Sequence, residues 1–196
     1  MSKLEPIVFH LLKHYTYYDT ESFEKLYNEG NLSMMFFAIR KVDVINAYKD
    51  VFQFLPDEIK YEAFFDVYTR AEYRFTAFTI KILEAVRKLR PDSVIQELGK
   101  FADDKGFITI YRGECTKSTP VQKALSWTLD KEKAVWFAKR FLCLASDIEK
   151  IGYVYTAKVN LKNIIGYYDG RKESEVVVRY KHLEIISTEE VRSDKK

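Results

Sequence analysis

Three short polar motifs follow one another in the second half of the chain: Tyr111-Arg112-Gly113, Ser126-Trp127-Thr128 and Glu173-Ser174-Glu175. Their residue types suit anion gripping and glycosidic-bond chemistry. A guanidinium never loses its charge and holds a phosphate through two parallel N–H donors, which fits Arg112 and, secondarily, Arg140. A carboxylate beside a carbon that becomes cationic interacts more strongly as the bond breaks, the physics glycosidases use. The carboxylate pair Glu173 and Glu175 is of the type that suits that task and the taking of a nucleophile's proton. Taken singly, each motif has an ordinary reading: an edge-strand arginine, pleat neighbours around a tryptophan, a solvated acidic face. Their joint order and their placement at the ends of β-rich segments give them weight together.

In that order the motifs resemble the ADP-ribosyltransferase superfamily, in the branch of clostridial toxins, arginine-specific vertebrate transferases and related phage enzymes. That branch carries an Arg on its first strand, a Ser-x-Thr-type strand and a Glu-x-Glu or Gln-x-Glu pair. The resemblance covers roughly residues 108–178. Gly152 to Val159, followed by Asn163 to Tyr168, is similar to the strand pair that precedes the acidic turn. Phe137 and Arg140 stand eleven and fourteen residues beyond Ser126, where the toxin branch has an aromatic and an Arg facing nicotinamide and a phosphate. Three residues apart, the two share a helix face. Tyr68-Thr69 is similar to a Tyr-Thr pair on a family helix, but the Asn and Arg of that branch find no match downstream.

The resemblance implies a mono-ADP-ribosyltransferase with NAD as its substrate and no metal. It implies Glu175, Glu173, Arg112 and Ser126 as the catalytic set. NAD would be held by Arg112, Gly113, Ser126, Thr128, Phe137, Arg140 and Glu175, and the acceptor by Glu173 and Tyr168 or its neighbour Tyr167. Glu175 would accept from the ribose 2′-OH, Ser126 would fix its rotamer, and Thr128 would support the strand or the ribose. Gly113, lacking a Cβ, would let the backbone approach the nicotinamide amide. On an extended segment Glu173 would project to the same side as Glu175, and Trp127 to the opposite, core side. A Glu at position 173 points to a protein arginine as acceptor. Two alternatives stay open: NAD glycohydrolase activity, and an inactive transferase fold that binds a target or inhibitor protein through its helical half. A toxin-like or phage-effector role fits the same branch. A polymerase-type site would have a His where Arg112 stands; no G-x-G-x-x-G loop occurs, and the three His lie outside any nucleophile motif.

The elements that must position these residues change character along the chain. Up to about residue 104 the apolar spacing is helical: Met35, Ile39, Val42, Ile45 and Phe52 form one stripe, and Phe75, Phe78, Ile82, Val86 and Leu89 another. Asp19 or Thr20 is placed to cap a helix ending at Gly30, Ser33 to cap the next, Pro56 to open another, and Pro91-Asp92 to separate two more. Five or six helices are expected there. Beyond Gly106, residues 107–111, 124–128, 153–159, 175–178 and 182–186 read as strands, interrupted by a helix from Lys131 to about Ala145 with Asp130 as N-cap. The expectation is an α+β chain, one domain over 1–196. A helical lobe (1–104) would pack on a split, mainly antiparallel sheet core (105–190) of ADP-ribosyltransferase type.

With 196 residues and 47% hydrophobic content, the chain can bury a substantial core. A net charge of +3 with interspersed signs gives no indication of nucleic-acid binding. Two cysteines, Cys115 and Cys143, favour a reducing compartment. No signal-like segment or membrane-length apolar run is visible, so a cytoplasmic protein, or one delivered into a host cytoplasm, is expected.

Overall fold

Short helices, three of them opened by a capping side chain (Asp19, Asn31 and Thr79), make up the first half of the chain. The computed structural model describes residues 4–71, 74–140, 142, 151–170 and 172–192. Contacts divide them into two units, Met1–Arg90 and Pro91–Lys196.

The first unit holds α1 (Pro6–Lys13), α2 (Thr20–Asn28), α3 (Leu32–Phe37), α4 (Val44–Val51), α5 (Asp57–Ala71) and α6 (Ile80–Lys88). Asp19 caps α2 by accepting the Ser22 amide, and Gly30 turns out of that helix at a φ of 67°. The cap of α3 is Asn31, which accepts the Met34 amide at 3.1 Å, and Ser33 lies inside the first turn instead. The stripe expected from Met35 to Phe52 is broken: α3 ends at Phe37 and α4 begins at Val44, leaving Val42 38% exposed in the connection. Helices this short draw their stability from packing rather than propensity. Here an aromatic cluster supplies it, Tyr48 touching Phe36, Phe52, Phe64 and Phe78. Tyr68 belongs to the same core, stacked on Phe75 at 4.3 Å and on Phe64, while the Thr69 hydroxyl turns back to the Phe65 carbonyl.

The second unit opens with α7 (Asp92–Gly99), so the described helices ahead of Gly106 number seven rather than five or six. It continues with β1 (Phe107–Glu114), β2 (Ser126–Thr128), α8 (Lys131–Lys139), β3 (Ile151–Asn160), β4 (Ile164–Tyr168), β5 (Glu175–Val178) and β6 (Leu183–Arg192). The strands form one sheet in the order β4-β5-β2-β1-β3-β6, every neighbour antiparallel. One face buries Ile108, Ile110, Trp127, Val159, Ile164, Val176 and Val178 together with Leu98 of α7. Each such branched or aromatic side chain contributes about 1.5–3 kcal/mol when fully buried.

The other face is crossed by α8, capped by the Asp130 carboxylate on the amides of Glu132 and Lys133. Its Ala134 and Ala138 settle on Val154, directly over Gly113 and Gly152. A Cβ at either glycine would overlap α8 backbone, so two glycines on adjacent strands set how closely the helix lies. The expected continuation of this helix toward Ala145 falls, apart from Arg140 and Leu142, outside the described residues. The architecture is α+β, with eight α-helices and a six-stranded antiparallel sheet among the described residues. No described helix is long and apolar enough to cross a membrane.

Candidate functional site

The three motif strands are neighbours, in the order β5-β2-β1. Register then decides which side chains meet. Thr128 lies opposite Glu175, Glu175 opposite Tyr168, and Thr128 opposite Tyr111. Directly paired residues of antiparallel strands project to one face, about 4.5–5.5 Å apart. Tyr168, Glu175, Thr128 and Tyr111 therefore form a single cross-strand row. Ser126, two residues from Thr128, shares that face, and Trp127 between them is 2% exposed on the core side, as expected. This is also the face that α8 crosses.

Arg112 departs from the sequence expectation. By alternation it projects from the face opposite Gly113 and Tyr111, on the side of Ile110. Its guanidinium donates to the carbonyl of Ser126 at 2.8 Å and to the carbonyl of Thr119 at 2.7 Å. It is a clamp between β1, the start of β2 and the intervening loop, with two donors engaged by backbone instead of aimed at a phosphate. Gly113 differs too, because the space above it is filled by the backbone of α8 and not left for a nicotinamide amide.

Thr128 is 5% exposed, and its hydroxyl is held within the fold. It donates to the Glu173 carbonyl at 2.6 Å and accepts the Asp130 amide at 3.0 Å. One hydroxyl thus ties the end of β2 to the acidic turn and to the start of α8. Of the two roles expected for Thr128, strand support is the one its bonds serve.

The turn before β5 is built by Asp169. Its carboxylate accepts the Ser174 amide at 2.8 Å and the Ser174 hydroxyl at 3.3 Å, and its carbonyl accepts the Lys172 amide. Lys172 and Ser174 both adopt left-handed backbone, with φ of 56° and 45°. β5 starts only at Glu175, so Glu173 and Glu175 are not two positions of one extended strand. The pleat argument for a common side consequently fails, and the turn, through Thr128, fixes where Glu173 stands. Tyr168 folds over Gly170, where a Cβ would meet its ring. Tyr167 packs on the core, and burial raises its phenol while a bond with Ser174 pulls the other way.

No family model, curated protein or solved structure matches the chain. The site is therefore read from its own geometry.

On α8, Phe137 is half-buried beside Trp136, their ring centroids 5.0 Å apart. Arg140 is the C-cap and exposed, its guanidinium 5.1 Å above the Trp136 ring. It presents an aromatic-backed cation at the end of the helix that crosses the Glu175 face, whereas Arg112 serves the backbone. Among the described residues no three His, Cys, Asp or Glu side chains are placed to hold a metal ion.

Asp169 opens the acidic turn where the sequence places one, an Asp before Gly that suits turn formation. Glu114 escaped the sequence reading and carries no local signal. It becomes visible only because it shares a face with Arg112, and burial raises its carboxyl while Arg112 and the Val121 amide pull it down.

Proposed function

We propose that the chain is an NAD-dependent mono-ADP-ribosyltransferase acting on a protein arginine. The observation that carries this reading is the row in which Glu175 is flanked by Tyr168 and Thr128, with Ser126 on the same face of the adjacent strand. NAD supplies a glycosidic bond whose nicotinamide departs with the bonding electrons. Glu175 holds the ribose 2′-hydroxyl and stabilises the positive charge that develops at the anomeric carbon. Ser126 orients Glu175 from the neighbouring strand. Thr128 keeps the turn in place so that Glu173 stands by the acceptor. Glu173 anchors the incoming guanidinium and takes the proton released as its nitrogen bonds to the anomeric carbon. Arg140 offers the exposed cation for pyrophosphate, and Tyr168 offers a ring on which the acceptor can stack.

Incubation with labelled NAD and cell extract tests the reading. Label transfer to protein and nicotinamide release are expected from the wild type. Glu175→Ala should cut both by about 10²–10³-fold. Absence of both activities in the wild type, or equal activity in Glu175→Ala with an unchanged melting curve, refutes it. Nicotinamide release without protein labelling assigns the chain to NAD hydrolysis instead.

A further inference from the structure

The junction of α2 with α3, Leu4 ahead of α1 and the N-terminal half of α5 surround a cavity of about 380 Å³. All of them belong to the first unit, and nothing about the cavity depends on the transferase reading. Its volume falls in the range of small-molecule sites, about 300–1,000 Å³. Leu4, Leu32 and Ala63, each buried, give it an apolar floor. The charge around that floor has one sign. Glu29 and Glu62 are exposed at the rim and Asp66 is half-buried, and no Lys, Arg or His lines the cavity among the described residues. None of the three carboxylates forms an ion pair among the described residues.

The needs of the fold do not account for these placements. Glu29 caps the C-terminal end of α2, where the helix carbonyls already concentrate negative charge. Glu62 and Asp66 stand one turn apart on α5, a spacing at which like charges repel. Burial raises the Asp66 carboxyl above its ordinary range, the Glu62 charge adds to the effect, and a bond with Ser33 opposes it. Each placement is unfavourable within the protein alone and is relieved by positive charge between the carboxylates. A single metal ion does not suit them, because no three His, Cys, Asp or Glu side chains among the described residues are gathered closely enough to hold one. The negative charge is spread around an apolar floor. We infer that this cavity binds a small aliphatic diamine, one ammonium group on the Glu62–Asp66 pair of α5, the other toward Glu29 at the end of α2, and the methylene chain over Leu32 and Ala63. Two separated cations answer carboxylates on two different elements, and the methylenes between them answer the apolar floor.

Isothermal titration of the full chain with putrescine tests this. Saturable one-to-one binding is expected, with butylamine, of equal length and half the charge, at least about tenfold weaker. Magnesium chloride at matched ionic strength should not displace putrescine. The Glu62→Gln/Asp66→Asn double variant should bind putrescine about tenfold or more weakly. Its melting temperature without ligand should equal or exceed that of the wild type, since a repulsion has been removed, and putrescine should raise Tm in the wild type only. Glu29→Gln, at an exposed helix end, gives a second test should the double variant fail to fold, and should weaken binding several-fold. Absence of saturable binding, equal affinity in the wild type and the variants, or equal affinity for putrescine and butylamine overturns the inference. Displacement by magnesium as effective as by a second diamine overturns it as well, by reducing the cavity to a general acidic surface.

Discussion

The hydroxyl of Thr128 donates to the carbonyl of Glu173 across 45 residues of sequence, at 2.6 Å. That bond, together with the Leu129 amide donating to the Ser174 carbonyl at 3.1 Å, ties the acidic turn to the end of β2, while Asp169 shapes the turn from within. Replacing Thr128 by Val keeps the shape and removes both the donor to the Glu173 carbonyl and the acceptor of the Asp130 amide. A loss of about 1–3 kcal/mol is expected. Thr128→Ser should retain most of the stability, as read by urea denaturation. If Val and Ser variants unfold at the same midpoint, the hydroxyl is not what ties the turn.

Gly113 and Gly152 test the seating of α8. A methyl group at Gly113 would overlap the Ala134 carbonyl and the Ala138 amide, both backbone atoms with no rotamer to yield. Gly113→Ala should cost about 1–3 kcal/mol by forcing the helix off the sheet. Gly152→Ala, which meets the Ala138 carbonyl, should behave alike. Gly99, with open space where its Cβ would lie, is the control and should be neutral or better as Ala. Equal midpoints for all three would contradict the close approach.

Ser174 carries backbone strain beside the proposed catalytic carboxylate. At a φ of 45° an L-residue costs about 1–2 kcal/mol relative to ordinary geometry. Ser174→Gly relieves that strain but gives up the hydroxyl bond to Asp169, so a small net change is expected. Ser174→Val loses the bond and adds a branched side chain to a left-handed residue, and should destabilise by more than about 1 kcal/mol. A Val variant as stable as wild type would mean the turn readily adopts another conformation.

Tyr15 gives the first unit a pH signature. It donates to Asp50 at 2.6 Å, and that bond, ahead of burial and the nearby charges of Asp50 and Asp43, lifts its pKa to about 12. An unfolded-chain phenol ionises near 10. Because the folded value is the higher one, the stabilisation is complete below about pH 10 and disappears as pH rises through about 12. The difference in unfolding midpoint between wild type and Tyr15→Phe should therefore shrink over that interval. Parallel curves from pH 9 to 12 would show that the bond adds nothing.

Several elements were legible from local pattern. Asp19 and Asp130 cap the helices they precede, Pro91 stands at the start of α7, and Glu175–Val178 is a strand with the limits its alternation suggests. Where the reading slipped, a local signal had a competitor. Ser33 and Asn31 are both good caps, and the chain uses Asn31, which follows directly on the left-handed Gly30. The Met35–Phe52 stripe keeps helical spacing through a connection that is not helical, since hydrophobic period reports facing and not continuity. Glu173 and Glu175 look like strand neighbours, yet the left-handed Ser174 between them is set by Asp169, five residues upstream.

By itself, the sequence determined the α+β class, most of the strands, and the residue types available to a site: two carboxylates, two hydroxyls and two guanidinium groups in a given order. These follow from periodicity and capping, which act within a few residues. Tertiary structure alone decided that β5, β2 and β1 are adjacent, that Glu175 lies level with Thr128 and Tyr168, and that Arg112 turns toward the carbonyls of Thr119 and Ser126. Strand order and register come from burying Trp127, Val176 and Ile110 on one face while α8 closes on Gly113 and Gly152 on the other. That packing joins residues far apart in the chain, so no local spacing encodes it.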